Sequence, residues 1–354
     1  MKLDRHDAVQ LDLDVPVSPQ RRQRKRAQKS YALRPKSKPI AKSKSNRKLL
    51  EKPSHWTLVR TVGSEPRNHL TSRVTSIHSD AAHWLAKLPD NSIHAVVTDP
   101  PYGVIEYNGL NQQKLRDGKG GVWRIPPSFD GAKRSPLPRF TVLTAEDRIA
   151  LVEFFSALAK DLARVLVPGG HVVIASNPLL SSQAFVPFEQ AGFEKRGEVI
   201  RLVQTLRGGD RPKGAEAEFD GVSVMARACW EPWGIFRKPF DGTVAANLRK
   251  WGTGGLRRIS ASEPFKDVIA CSPTRGAEKR LAPHPSLKPQ RFMRQVVRAV
   301  LPLGEGIVYD PFTGSGSTLA AAEALGYHAI GTERDSEYFK LGCRAFLELS
   351  KLKL

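Results

Sequence analysis

Cysteine is scarce in this chain of 354 residues: Cys229, Cys271 and Cys343 are the only three, and no two form a C-x-x-C pair. That excludes a disulfide framework and a cysteine-built zinc site, and it points to a reducing compartment. Long apolar runs are missing as well; none approaches the roughly 20 residues that a membrane span needs. The stretch MKLDRHDAVQLDLDV carries acids where a secretory signal would have a basic start and an apolar core. The expectation is a soluble, intracellular protein. Acids are the third scarcity, because 56 Lys and Arg face 35 Asp and Glu and leave a net charge of +21. Between Arg21 and Lys52 fourteen Lys and Arg stand against the single acid Glu51, a local +13 that leaves +8 for the rest. The same stretch has almost no aliphatic residues to bury, so it reads as a disordered cationic arm suited to nucleic acid phosphates.

What is present points to a globular α/β body. With 40% hydrophobic residues the chain can bury one large core or two modest ones. From Val74 onward short β-branched runs alternate with helical patterns, as in a wound parallel sheet. HAVVTD, His94 to Asp99, predicts a buried strand ending in an acid. Arg148 to Leu166 predicts a helix, and HVVIAS, His171 to Ser176, the next strand after a turn at Pro168 to Gly170. Ser181 to Gln190 reads as a helix and Glu198 to Leu202 as a strand. Between Gln204 and Pro283 the pattern degrades into glycine-rich basic loops with Trp230, Trp233 and Trp251, as an inserted module would, although WGIFRKP should add a strand within or beside the main sheet. Regular pattern resumes with a helix from Pro289 to about Leu301. A strand at Gly306 to Asp310, a helix at Ser317 to Leu325, a strand at His328 to Glu333 and a helix at Ser336 to Leu349 follow. Val104 to Phe140, rich in Gly and Pro and carrying seven Lys and Arg against three acids, reads as a segment that closes over a ligand and touches phosphate.

Two segments carry chemistry. DPFTGSGST, Asp310 to Thr318, puts Gly314 and Gly316 where a strand turns into a helix, so the backbone can approach a ligand closely. Glu333 ends the next strand, 19 residues after Gly314, at the distance from which an acid reaches ribose hydroxyls. The third glycine of a dinucleotide fingerprint and the Gly-Lys-Ser/Thr of a phosphate loop are both missing, which favours a nucleoside without phosphates, and S-adenosylmethionine fits. The second segment, TDPPYG, follows a buried strand. It brings the Asp99 carboxylate, the Pro100 carbonyl and the Tyr102 ring together, a set that can accept both hydrogens of a planar amine and stack on the ring bearing it.

TDPPYG, DPFTGSGST and HPSLKP, in this order, resemble the DNA amino-methyltransferases of the N6-adenine/N4-cytosine type in their β-class arrangement. The resemblance covers roughly Val74 to Leu349 and is weakest across Gln204 to Pro283. It implies a Rossmann-like α/β fold, S-adenosylmethionine-dependent and circularly permuted, with an inserted target-recognition region. The implied layout is a basic arm at 1–55, a catalytic half at 56–203, a recognition insert at 204–283 and a cofactor half at 284–354. Asp99, Pro100, Pro101 and Tyr102 match the catalytic set. Asp310, Phe312, Gly314, Gly316 and Glu333 match cofactor contacts, with Asp80 toward its adenine and Lys288 toward its methionine end. No metal is implied. Double-stranded DNA would be the substrate, in the cytoplasm at the nucleoid, with a homodimer and a cognate restriction endonuclease as compatible partners. Asp rather than Ser at the first catalytic position favours adenine over cytosine. A catalytically inactive DNA-binding protein is the rival from another class. RNA or protein amino-methyltransferases, which usually carry Asn-Pro-Pro-Tyr and place the cofactor half first, fit less well. Methylation at cytosine C5 needs a Pro-Cys dipeptide, and here the cysteines follow Ala, Ala and Gly.

Overall fold

The computed structural model describes residues 52–101, 144–203, 212, 214–224, 226, 229–271, 274, 276–284 and 287–353. The arm before 52, the segment 102–143 with Tyr102 and the Val104–Phe140 expectation, and residues 204–211 lie outside these. Helix α1 (Lys52–Thr61) starts inside the span assigned to the arm, because Val59 is fully buried and Trp56 packs on His328 with ring centroids 4.5 Å apart.

Strands β1 (Arg67–His69), β2 (Val74–His78), β3 (Ile93–Thr98), β4 (Leu166–Ala175), β5 (Glu194–Leu202), β6 (Trp230–Arg237), β7 (Val268–Ala270), β8 (Ile307–Asp310) and β9 (His328–Glu333) form one sheet. Their spatial order is β1-β2-β9-β8-β3-β4-β6-β5-β7. From β2 to β4 every neighbouring pair is parallel, whereas β6 runs antiparallel between β4 and β5. Parallel strands covered on both faces need apolar residues at successive positions, and β3 shows it: Ile93 and Val96 belong to one core cluster, Ala95 and Val97 to the other.

On one face α2 (Ala81–Leu85), α3 (Ala145–Val165) and α4 (Ser181–Gln190) bury Trp84, Phe155, Leu162, Phe185 and Phe188. On the other, α7 (Gln290–Val300), α8 (Ser317–Ala324) and α9 (Ser336–Lys351) bury Phe292, Val296, Leu319 and Phe346. The short helices α5 (Val244–Trp251) and α6 (Ala277–Leu281) lie in the segment between β6 and α7. α3 begins at Ala145, ahead of the expected Arg148, because Thr144 and Asp147 form a reciprocal capping box.

One expectation needs correction. Pro168–Gly170 makes no turn ahead of β4 but lies within it: Ile93 pairs with Leu166 and Ala95 with His171, so the intervening residues bulge out of register. The bulge persists because Gly169 N–H and Gly170 C=O are both taken by Lys238, at 2.9 Å each. The segment 204–283 adds a strand to the main sheet, as expected of WGIFRKP. It supplies β6 between β4 and β5 and β7 at the sheet edge, and Trp233 is fully buried in the core.

Candidate active site

Asp99 and Asp310 meet because β3 and β8 are parallel neighbours, Val96 lying opposite Tyr309. From β3 the chain proceeds through α3 to β4 on one side, and from β8 through α8 to β9 on the other. The two connections therefore diverge at this point, and open α/β sheets form their ligand crevice outside the carboxyl ends of strands at such a switch. The crevice here is a narrow cleft bordered by Asp99, His284, Lys288, Asp310, Phe312 and Gly314 among others.

The β8 side is built from hydrogen bonds that shape its turn. Asp310, 2% exposed, accepts from the Thr98 hydroxyl at 2.7 Å and from the Phe312 N–H at 3.1 Å. Burial pushes its carboxyl up to about 6, against the pull of those hydrogen bonds. Glu333 receives the Gly314 N–H on one oxygen at 2.8 Å and the Asp335 N–H on the other at 2.9 Å, and burial raises its pKa. Gly314 has φ +49°, a conformation that side chains rarely adopt, and a Cβ placed on it would lie 3.2 Å from the His284 ring. His284 packs edge-on to Tyr338 at 4.4 Å. Burial, with the Lys288 charge adding to it, pushes His284 down to about 4, so it faces the cleft uncharged at neutral pH. A cradle lined by bare backbone, a buried acid and a neutral ring suits a nucleoside, and among the described residues that border it Lys288 is the one cation.

The β3 side is held differently. The Asp99 side chain, 13% exposed, accepts from Lys288 Nζ at 2.5 Å, and Lys288 is itself buried. Pro100 is buried and Pro101 exposed; Tyr102 lies outside the described residues. Asp80 is exposed and is not among the residues that border the cleft. It caps α2 through the N–H groups of Ala82 and His83, and its chain neighbour Ser79 donates to the Glu333 carbonyl at 3.0 Å. Gly316 caps α8 below the turn. The structure thus gathers Asp99, Lys288, Asp310, Phe312 and Gly314 around the cleft, with Glu333 behind Gly314. Sequence reasoning missed Thr98, His284 and Glu231. Thr98 and His284 open the motifs TDPPYG and HPSLKP, and Glu231 stands out as an acid inside the apolar strand WEPWGIF.

A larger, open depression elsewhere is lined by Arg291, Arg294 and Arg298. Arg294 there donates to the carbonyls of Leu349, Ser350 and Leu352 and so secures the end of α9. Among the described residues no helix is long and apolar enough to cross a membrane.

A family described as DNA methylase matches residues 234–344. The type II methyltransferase M2.DpnII of Streptococcus pneumoniae is 34% identical over 272 residues, 76% of this chain and 88% of that protein. The DNA adenine methyltransferase YhdJ of Escherichia coli (strain K12) is 25% identical over 297 residues, 80% of this chain and 86% of that protein. Among solved structures, the PvuII DNA methyltransferase (cytosine-N4-specific) matches with a TM-score of 0.52 at 17% identity, over 80% of this chain and 90% of that one. That likeness defines the fold as Rossmann-like and of the methyltransferase type. The chain belongs to the DNA amino-methyltransferase family.

Proposed function

We propose that this protein is a site-specific DNA methyltransferase that transfers a methyl group from S-adenosylmethionine to the exocyclic N6 of adenine. The observation that carries the reading is the Asp99 carboxylate at the carboxyl end of β3, facing the cleft that the glycine turn of β8 also borders. Adenine is favoured by Asp at the first catalytic position and by the relative named an adenine methyltransferase. Cytosine N4 is the alternative, since a neighbour in fold carries that specificity.

The glycine turn and Glu333 would hold the nucleoside, with Asp80 and Lys288 at its two ends. When bound, S-adenosylmethionine supplies an electrophilic methyl group: the amine nitrogen gains an N–C bond, the S–C bond breaks with its electron pair on sulfur, and the amine loses one proton. The protein needs no covalent nucleophile for this. Asp99 and the Pro100 carbonyl accept from the amine hydrogens, which orients the nitrogen and frees its lone pair, and Asp99 can then take the proton. A base inside a duplex must first be flipped out, at a cost of a few kcal/mol.

Incubation with plasmid DNA and methyl-labelled cofactor, followed by digestion to nucleosides, tests the reading. Label is expected in N6-methyladenine. Label in N4-methylcytosine selects the alternative, and no transfer at all supports an inactive DNA-binding protein.

Residues 1–51 would act as an electrostatic arm on the duplex. Deleting them, which spares α1, should flatten the dependence of log affinity on log salt by about 4 if a third of the cations engage phosphate. The methylated sequence should stay the same. An unchanged slope would make the segment a targeting or solubility tail.

A further inference from the structure

Lys288 is a buried lysine with two carboxylates in reach. Its Nζ lies 2.5 Å from Asp99 and 3.8 Å from Glu231 Oε2. Glu231, on β6, is itself fixed: its Oε1 accepts from the Trp233 indole N–H at 2.7 Å, and its Oε2 from Arg201 at 3.3 Å. Arg201 is 5% exposed, and its guanidinium stands 5.6 Å from the centroid of the Phe292 ring. Arg201, Glu231, Lys288 and Asp99 therefore form a row of alternating charge, two cations and two carboxylates, running from β5 through β6 to the end of β3. Buried charges are tolerated when each has a counter-charge.

This arrangement poses a problem for the reaction proposed above, on which the present inference rests. An amine that donates to Asp99 must compete with the ammonium already there. If Lys288 simply left Asp99, it would become an uncompensated buried cation next to a positively charged methyl donor. We propose that Glu231 is a positioning residue that receives the Lys288 ammonium when Asp99 turns to the target amine, and so sets the availability of the Asp99 carboxylate. The geometry suits a handover. A separation of 3.8 Å is an ion pair just beyond hydrogen-bond length, so a shift of about 1 Å at the tip of a flexible side chain completes the bond. Trp233 and Arg201 keep the receiving carboxylate in place while this happens.

Glu231→Gln preserves the shape and much of the hydrogen bonding but removes the charge. It should lower kcat about ten- to a hundredfold, the size of one charge-assisted hydrogen bond. The KM for cofactor, and the Kd for cofactor by calorimetry, should remain close to those of the unaltered chain. The decisive comparison is the same substitution in a Lys288→Met background, where there is no ammonium to receive and its effect on kcat should largely vanish. Equal losses in both backgrounds, or no loss with Lys288 present, would overturn the proposal. Should Glu231→Gln not fold, Glu231→Asp carries the same cycle, with a fall in kcat expected only when Lys288 is present. An unaltered chain that transfers no methyl group to DNA overturns the methyltransferase reading and this proposal together. An active chain indifferent to Glu231→Gln overturns the proposal alone.

Discussion

Asp99 follows β3 and Asp310 closes β8, its neighbour in the sheet, yet the two carboxylates live in different surroundings. Asp310 is almost fully buried and spends its hydrogen bonds on the Thr98 hydroxyl and the Phe312 N–H, groups that fix how two strand ends are joined. Asp99 is partly open to the cleft and holds the tip of one long side chain, that of Lys288. The first kind of bond cannot be given up without reshaping the turn, whereas the second can be exchanged for a substrate amine. The cleft is thus divided into a rigid side suited to holding a cofactor and an exchangeable side suited to chemistry.

The sharpest way to break this comparison is Asp99→Ala. Methyl transfer should fall by about 10²–10⁴-fold, the usual contribution of a positioned acid or base, while the protein stays folded. Tritiated-methyl incorporation measures it, and substantial turnover would remove Asp99 from the reacting side.

Asp310→Ala should act on the fold instead. It leaves the Thr98 hydroxyl and the Phe312 N–H without their acceptor, a loss of about 1–3 kcal/mol that urea unfolding would register. A distinct pH signature should accompany it. The Asp310 carboxyl is raised from 3.8 to about 6, so between these values the folded chain holds a proton that the unfolded chain has released. The stability this group contributes is therefore present below about pH 4 and is lost, on the order of 2–3 kcal/mol, as pH rises through 6. Asp310→Asn should flatten that part of the stability profile. An identical profile in the variant would mean that the Asp310 carboxyl titrates alike in the folded and unfolded chains.

Glu333→Gln is the mildest change. An amide offers one acceptor oxygen where the carboxylate serves both Gly314 and Asp335, so cofactor affinity should drop by about 1–3 kcal/mol. An unchanged Kd would move the ribose contact elsewhere.

The β8 side was legible in the sequence and the β3 side only in part, for a physical reason. Strand β9 occupies His328–Glu333 as expected, and Gly314, Gly316 and Glu333 sit where a strand–turn–helix–strand unit puts them, because every partner lies within about 20 residues. Lys288 reaches Asp99 across 189 positions, and Glu231 joins them only because β6 inserts between β4 and β5. Periodicity carries no record of such pairings. The Pro168–Gly170 bulge failed for a related reason: its residues are turn formers, but the distant Lys238 backbone satisfies their polar groups and keeps them in the strand.

Calorimetric titration of S-adenosylmethionine into the unaltered chain, Asp99→Ala and Glu333→Gln in one buffer tests the division of the cleft most directly. The expected result is that Asp99→Ala binds the cofactor about as tightly as the unaltered chain while Glu333→Gln binds it distinctly more weakly. A loss of affinity in Asp99→Ala equal to that in Glu333→Gln would contradict it, because the carboxylate of β3 would then belong to the cofactor side.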